Sequence, residues 1–354
     1  MKNLFFIFIF AVIFLSACQA ENMQNDTNPQ IEQHIVTQAD FMMDTFVTIR
    51  IFCDANANTI ENPEEYYGAV ARQALDEIRR IEGLLSMTLE NSDVWNINHS
   101  QGEAVLVSEH TIELLERAIH FREISGGAFD VTIGAVSELW TFGFETGEFP
   151  EPSAHAAALE AVGADIIIEG DSVRLSHPNA MIDLGGIGKG YAADIAASFL
   201  ESLGVAAIVD IGGDTVMVGT KPDGTQWRVG IQDPRGGLWD VFASVDVDDV
   251  GFVTSGIYQR FFFHEGRRYH HVLNPQTGFP VDNDIVSVSI IAPDATTAEG
   301  IATAVHVLGA EAGIRLAEGI YGVEAVLILD DDGVVFTSGI GHDYDARIRL
   351  DIRR

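Results

Sequence analysis

The sequence predicts a fold of the α+β class. Helical periodicity is confined to a few segments, and the remaining apolar runs are short, β-type and concentrated in the C-terminal half. A doubly wound parallel sheet would require strands and helices in steady alternation, and the sequence lacks that pattern. We therefore expect a mixed fold whose C-terminal half is rich in strands.

The N-terminal half is predicted to contain one strand and two helices. Residues 41–52 alternate between two sets of side chains, as a half-buried strand does. Over residues 64–85, apolar side chains recur on one helical face, opposite charged positions. A second helix follows Ser108, a favourable N-cap, and runs to about residue 123. Its buried face is expected to carry Ile112, Leu115 and Ile119.

The C-terminal half is predicted to consist of many short strands and two helices. The predicted helices cover residues 189–203 and 297–308. The predicted strands cover residues 165–168, 173–176, 206–211, 215–218, 227–231, 241–247, 251–254, 258–264, 267–273, 285–291, 325–329 and 334–337.

The first residues resemble the signal of a bacterial lipoprotein. Lys2 precedes a short apolar run over residues 4–15, and Ser-Ala-Cys follows at 16–18. We expect removal of residues 1–17, acylation of Cys18 with fatty acids such as palmitate, and a flexible tether over residues 18–38. This predicts a protein anchored by lipid to a membrane, on the extracytoplasmic face of a bacterial cell envelope. A plain signal peptide with a chance cysteine, or an uncleaved anchor, is the alternative.

Charge and cysteine content limit the possible partners. The net charge of −33 repels nucleic acid phosphate, so we expect no nucleic-acid partner. The chain has two cysteines, and acylation of Cys18 would leave only Cys53, which excludes an intrachain disulfide. An anionic ligand could bind only where a cation, a metal ion or backbone N–H groups attract it locally.

A glycine-rich turn is the clearest chemical feature of the chain. Residues 183–191 read DLGGIGKGY and connect an apolar strand to a helix. Glycines allow close approach of a ligand, the helix N-terminus offers N–H groups to an anion, and Lys189 adds a cation there. The spacing is neither that of a Walker A loop nor G-x-G-x-x-G. Taken alone, the pattern also fits a purely structural turn.

Further motifs surround this turn in a fixed order. They read SGGAFDVTIG at 125–134, VDIGGD at 209–214, TSGIYQRFF at 254–262, HHVLNPQTGFP at 270–280 and AEGIATA at 298–304. Together with the turn, they resemble the ApbE family of FAD:protein FMN transferases. The resemblance extends from about residue 41 to the end of the chain, within a domain predicted at residues 39–354.

The resemblance implies an activity and a fold. Members of this family bind FAD with Mg²⁺ and transfer the FMN half to a threonine or serine of a target protein, forming a phosphodiester and releasing AMP. The implied fold is a two-lobed α+β assembly with FAD in the cleft between the lobes, and the implied partner is an extracytoplasmic target protein. Two alternatives remain: an FAD pyrophosphatase that yields FMN and AMP, and a flavin-binding lipoprotein without catalytic activity.

A metal site is predicted on the helix at 297–308. Glu299 and Thr303 are spaced i and i+4, so their oxygens lie on one helical face, and hard oxygen ligands suit Mg²⁺. By the family pattern, the main-chain carbonyl of Gly186 completes the site. The family has aspartate at the position of Glu299, which leaves metal preference open. The alternative is an ordinary solvated helix face.

The resemblance also implies residues that bind FAD. The family's Met-Gly-Thr corresponds to Met43-Asp44-Thr45 here, and Thr88 stands where many members carry an aromatic residue that stacks on the nucleotide. The residues expected to contact FAD are Met43, Thr88, Ala128, Phe129, Asp130, Asp183, Lys189, Ser255 and His271.

His271 is the predicted catalytic residue. It matches the histidine that precedes the family's apolar-x-Asp-Pro, with Asn274 replacing the aspartate. A neutral imidazole can accept the proton of the target hydroxyl, so activity is expected to rise with pH through the imidazole range. Adjacent side chains of a strand point to opposite faces, so only one of His270 and His271 should face the site. The alternative is a histidine hydrogen-bonded within a turn, and His306 is expected to be structural.

Overall fold

A computed structural model shows where the folded domain begins. It describes residues 33–54, 60–142, 147–237, 240–341 and 348–352. The predictions for residues 1–17 and Cys18 lie outside this part. Residues 33–38, predicted to belong to the tether, instead form the start of a strand, because they pair antiparallel with residues 49–54. No helix in the described part is long and apolar enough to cross a membrane.

The helices and strands mostly follow the predicted order. The helices are α1 Pro63–Leu85, α2 Asp93–His99, α3 Glu109–Ile124, α4 Gly134–Ser137, α5 Pro152–Leu159, α6 Gly188–Ser202, α7 Ala295–Leu308 and α8 Ala310–Glu318. The strands are β1 Gln33–Met42, β2 Thr45–Asp54, β3 Val105–Leu106, β4 Thr141–Phe142, β5 Gly147–Glu148, β6 Ile166–Glu169, β7 Ser172–Leu175, β8 Ala206–Ile211, β9 Asp214–Val218, β10 Trp227–Gln232, β11 Val241–Val247, β12 Gly251–Gly256, β13 Phe261–His264, β14 Arg267–His270, β15 Ile285–Ala292, β16 Glu324–Leu329, β17 Val334–Phe336, β18 Ile340–Gly341 and β19 Ile348–Ile352.

An antiparallel sheet of eight strands forms the centre of the domain. Its strand order is β1-β2-β8-β9-β12-β15-β16-β17, and every neighbouring pair is antiparallel. Because side chains alternate between faces, Ile290 joins the apolar core shared with the helices, whereas Ile291 joins a second core. That second core also contains residues of β10, β11 and β19, which belong to a separate four-stranded sheet. The α+β class is confirmed.

Two helices pack tightly on the helical side of the sheet. A Cβ atom on Gly190 of α6 would lie 2.4 Å from the carbonyl oxygen of Ala295, so only glycine permits this approach of α6 to α7. The carboxylate of Asp194 then accepts hydrogen bonds from the backbone N–H groups of Ala295 and Thr296 at 2.8 and 2.9 Å. These contacts fix the start of α7 against α6, and both helices carry predicted site residues.

An aromatic cluster supports the β13–β14 hairpin. Trp140 lies at its centre, with ring contacts to Phe142, Phe149, Phe262 and Tyr269. The two strands are shorter than predicted, since β14 ends at His270. The cluster therefore holds the chain that carries His270 and His271 onto the main body.

Two expectations require correction. The strand predicted over residues 41–52 is a hairpin, because Met43 and Asp44 adopt left-handed backbone conformations with φ of 52° and 61° and reverse the chain. On α3 the buried residues include Leu114 and Leu115, whereas Ile112 and Ile119 are only half-buried. Residues 31–354 form one compact unit, which is compatible with two implied lobes inside a single domain. The FAD cleft between them stays a prediction.

Candidate functional site

The predicted site lies at one end of the eight-stranded sheet. The β1–β2 turn at Met43-Asp44 and the β8–β9 turn at Gly212-Gly213 share this end, since neighbouring antiparallel strands turn at the same edge. Strand β12 ends there at Gly256, one residue beyond the half-buried Ser255. The glycine-rich turn joins this edge, because a Cβ atom on Gly188 would lie 4.0 Å from Cε of Met43.

The glycine-rich turn is held by its own aspartate. The backbone N–H of Asp183 donates to the carbonyl oxygen of Val131 at 2.8 Å, and Asp183 Oδ1 accepts the N–H of Gly185 at 2.8 Å. Thr303 Oγ1 donates to the carbonyl oxygen of Gly186 at 3.4 Å. The structure therefore brings together two of the three predicted metal ligands, Gly186 from the turn before α6 and Thr303 from α7.

The third predicted ligand, Glu299, is engaged by a lysine. Lys189 Nζ donates to Glu299 Oε1 and lies 2.8 Å from Asp214 Oδ2. The other oxygen of Glu299 accepts the backbone N–H of Gly190 at 2.8 Å. Both acids are buried, with 4% of Glu299 and 3% of Asp214 exposed. Lys189 was predicted to offer its charge to a phosphate, but the structure pairs this charge with two carboxylates.

The cluster places one ammonium group against two buried acids. Burial lowers the pKa of Lys189, but attraction by Asp214 and Glu299 outweighs it and raises the pKa above its usual value. Lys189 is therefore a permanent cation. Burial raises the pKa of Glu299, against the attraction of Lys189. One ammonium thus faces two buried acids, an arrangement that favours an additional cation.

The donor set fits a hard divalent cation. It consists of a carbonyl, a hydroxyl and carboxylate oxygens, from Gly186, Thr303, Glu299 and Asp214, and oxygen ligands are those that Mg²⁺ prefers. Sequence reasoning missed Asp214, although it ends the noted motif VDIGGD. No group of three His, Cys, Asp or Glu residues suited to a metal occurs in the described ranges, so any ion here would need the carbonyl and the hydroxyl.

His271 lies against Arg260, at the same end of the sheet, and is neutral. Its backbone N–H and its ring Nδ1 lie 3.1 and 3.4 Å from the carbonyl oxygen of Arg260. Burial, with the charge of Arg260, lowers the pKa of His271 to about 3, and Lys189 is among the charges that contribute. The neighbouring His270 instead places Nε2 3.1 Å from the carbonyl oxygen of Val281. The predicted rise of activity through the imidazole range is therefore not expected from His271, which is already neutral there.

The residues predicted around FAD differ in their availability. Asp130 is committed to structure, because its carboxylate lies 3.1 Å from Arg122 Nε and accepts two hydrogen bonds from Thr132. The side chains of Ala128 and Phe129 are buried, and the contact of this segment with FAD stays a prediction.

Two further cofactor predictions involve the surface. Thr88 is exposed, and it forms hydrogen bonds with Ser86 in its own loop. Asp130 also borders a small pocket of about 290 Å³ with Gly127, Pro275 and Gln276. Neither observation places FAD, so both contacts stay predictions.

Buried histidines are expected to make this protein sensitive to acid. Burial lowers the pKa of His270 to about 4 and that of His306 to about 3, whereas the unfolded chain titrates near 6.5. Because the unfolded state binds more protons below that value, stability is full above pH about 6.5 and is lost as pH falls toward 4. Each histidine changes the free energy of unfolding by up to about 1.4 kcal/mol per pH unit in this range.

Urea unfolding between pH 4.5 and 7.5 measures this effect. Neither ring nitrogen of His306 has a hydrogen-bond partner in the described structure, so His306→Leu should retain its stability at pH 7. The variant should show a shallower dependence of the free energy of unfolding on pH, because unfolding takes up one proton fewer. The control is His99→Gln, which changes an exposed histidine. An unchanged slope in His306→Leu would contradict the expectation.

The fold and this site define a class. The domain resembles the ApbE protein of Thermotoga maritima with a TM-score of 0.76 at 32% identity, covering 86% of this chain and 97% of that one. It also resembles the flavin transferase ApbE of Vibrio cholerae, with a TM-score of 0.73 at 28% identity and coverage of 87% and 98%. The model of the ApbE family matches residues 43–327. The chain belongs to the ApbE family.

Relatives with assigned activities are similar in sequence to this chain. The FAD:protein FMN transferase of Treponema pallidum is 34% identical over 327 residues, covering 86% of this chain and 87% of the relative. The FAD:protein FMN transferase of Vibrio cholerae is 31% identical, covering 72% and 78%. The similarity therefore spans nearly the whole domain, including every segment of the site.

Proposed function

We propose that this protein transfers FMN from FAD to a threonine or serine hydroxyl of a target protein and releases AMP. The observation that carries the proposal is the convergence, at one end of the sheet, of the glycine-rich turn, the Lys189–Asp214–Glu299 cluster and the neutral His271. The names of the relatives support the same reaction. The substrate is FAD, and the second partner is a polypeptide.

His271 serves as the proton acceptor in this proposal. Its imidazole is neutral in the free protein, although a pKa of about 3 makes it a weak base there. The negative charge of a bound pyrophosphate would raise this pKa and so allow the ring to take the proton of the target hydroxyl. The hydroxyl oxygen then forms a bond to the phosphorus of the FMN half, and the bond from that phosphorus to the bridging oxygen breaks. AMP leaves with the bridging oxygen, and the product is a phosphodiester.

We propose Mg²⁺ as the metal ion of the reaction. Gly186, Thr303 and Glu299 would hold it, with Asp214 close by. Bound there, Mg²⁺ would neutralise charge on the pyrophosphate. Backbone N–H groups at the start of α6 would contribute partial positive charge near the same place.

A threonine pair on α7 tests the metal site. Thr303→Ala should lower Mg²⁺-dependent AMP release at least about tenfold and raise the Mg²⁺ concentration required, because a ligand is lost. The matched control is Thr297→Ala on the same helix, where the hydroxyl bonds Asp294 and Arg117 instead. AMP release is measured with and without chelator. Equal activity of the two variants, or full activity in chelator, would refute the metal site.

Two other activities use the same site. In an FAD pyrophosphatase, water replaces the target hydroxyl, and FMN and AMP are released together. In a flavin-binding lipoprotein, FAD is held without reaction. Release of AMP distinguishes the binding protein from both enzymes, and covalent flavin on a target distinguishes the transferase from the pyrophosphatase.

We also propose that the mature protein is anchored through an acylated Cys18 on the extracytoplasmic face of a bacterial envelope, near its target. Cys18→Ser should move the protein from the detergent phase to the aqueous phase or leave an uncleaved precursor. Cys53→Ala, which changes the other cysteine, should leave the partition unchanged. Phase partition of membrane fractions measures this. Unmodified wild-type protein in the cytoplasm would rule the anchor out.

A further inference from the structure

The edge strand β1 has an uncharged, exposed face. Its side chains Ile35, Thr37, Ala39 and Phe41 are all exposed. Of the positions between them and at the end of the strand, Val36 and Met42 are buried, whereas Gln38 is half-buried and Asp40 is exposed. The opposite face is covered, because α1 packs against β1 and Val36 is buried. On the same face of β2, the exposed Arg50 lies opposite Thr37, so one charge borders these four uncharged positions. Exposed apolar side chains on an edge strand are typical of an interaction surface.

The face continues across the hairpin to Phe46. Phe41 and Phe46 lie opposite each other in the β1–β2 register, with ring centroids 5.5 Å apart in an edge-to-face arrangement. They are 60% and 73% exposed. We call Ile35, Thr37, Ala39, Phe41 and Phe46 the edge strip. Solvent exposure of two packed aromatic rings leaves apolar area that a partner can bury.

The edge strip leads to the candidate active site. Its aromatic end flanks the Met43-Asp44 turn, whose methionine approaches Gly188 at the start of α6. On the other side of the turn, Asp44 pairs with Arg260 at 3.4 Å. The carbonyl oxygen of Arg260 accepts the backbone N–H of His271. A peptide bound along β1 and running toward the turn would therefore approach His271.

Strand β1 also offers unused backbone groups. It is the terminal strand of the eight-stranded sheet and pairs only with β2 among the described strands. An extended peptide can add to such an edge through main-chain hydrogen bonds, with side-chain contacts supplying selectivity. A lipid surface or a small ligand would make no use of this row of N–H and C=O groups.

We propose that the edge strip binds the acceptor segment of the target protein in extended form beside β1. An apolar residue of that segment packs on Phe41 and Phe46, and the acceptor hydroxyl reaches His271 beyond the turn. This inference rests on the proposed transferase function, because it supplies the polypeptide substrate that the reaction requires.

Transfer to a peptide tests the edge strip. A library of peptides, each with one central threonine, is first incubated with the wild-type protein, FAD and Mg²⁺, and a flavin-labelled peptide is isolated as the probe. The double variant Phe41→Ser/Phe46→Ser should raise the KM for that peptide about tenfold or more, the usual scale for losing buried aromatic anchors. The affinity for FAD should stay within twofold. The control is Tyr321→Ser, which removes another exposed aromatic side chain.

A second variant and a size measurement make the result decisive. Ala39→Glu adds a charge to the strip without removing packed atoms, and it should also raise the peptide KM. An unchanged KM in both variants would overturn the proposal. The proposal would also be overturned if the wild type were a dimer that Ala39→Glu dissociates without changing the peptide KM. The same conclusion would follow if the only effect of the variants were a loss of binding to anionic vesicles. If the wild type releases AMP yet labels no peptide, the transferase function itself fails, before any variant is made.

Discussion

Replacement of His271 with alanine is expected to lower FMN transfer by about two orders of magnitude or more, the usual scale for a general base. The imidazole is neutral and lies against Arg260 at this end of the sheet, where we propose that it accepts the proton of the target hydroxyl. The ring contributes little contact area to FAD, so flavin affinity should change only modestly. Single-turnover transfer and flavin fluorescence measure the two quantities separately.

The control for this variant is His264→Ala. His264 is exposed, and its ring stacks on Phe149 in the neighbouring hairpin. Transfer at the wild-type rate by His271→Ala would remove this residue from the mechanism. Equal losses of FAD affinity and transfer would make His271 a binding residue. In the wild type, transfer should show no inflection between pH 6 and 7.5 from this group, because its pKa lies far below that range.

Replacement of Lys189 with methionine is expected to reduce the free energy of unfolding by about 3 kcal/mol, because removing one partner leaves buried charge uncompensated. Asp214 and Glu299 share the Lys189 ammonium, and both are buried. Glu299→Gln should reduce the free energy of unfolding by less than Lys189→Met does. The Lys189–Asp214 pair remains in that variant, and the amide oxygen can still accept the N–H of Gly190.

Urea denaturation in chelator measures this difference. The control is Lys221→Met, which removes a lysine that lies over the ring of Trp227 and away from the cluster. Added Mg²⁺ should stabilise Lys189→Met more than the wild type, since a dication replaces the missing charge. Equal unfolding midpoints for Lys189→Met and Lys221→Met would show that the buried pair contributes nothing.

Local sequence signals predicted much of the fold. Helix α1 has a continuous apolar face, and α3 begins after Ser108, whose side chain accepts the N–H of Thr111 as expected of an N-cap. The hairpin turn at Met43-Asp44 was missed because non-glycine residues rarely adopt positive φ. Helix α8 was missed as well, because it has only nine residues and follows α7 after the single residue Gly309.

The site was predicted less completely, because its essential contacts join distant parts of the chain. The spacing of Glu299 and Thr303 is local, so the sequence alone predicts that they share a helical face. The glycine-rich turn was recognised from the motifs that surround it in the sequence. The pairing of Lys189 with Asp214 and Glu299 connects three separate elements, and no periodicity reveals it. The same holds for the low pKa of His271, which results from burial and from Arg260.

The mass of a target protein tests the central claim most directly. The purified protein is incubated with FAD, Mg²⁺ and a candidate target from the cell envelope, and the target is weighed by intact mass spectrometry while AMP is quantified. The account predicts that one threonine or serine gains the mass of FMN less one water, with one AMP released per modified target. Release of FMN and AMP with an unmodified target, or FAD that stays intact, would contradict it.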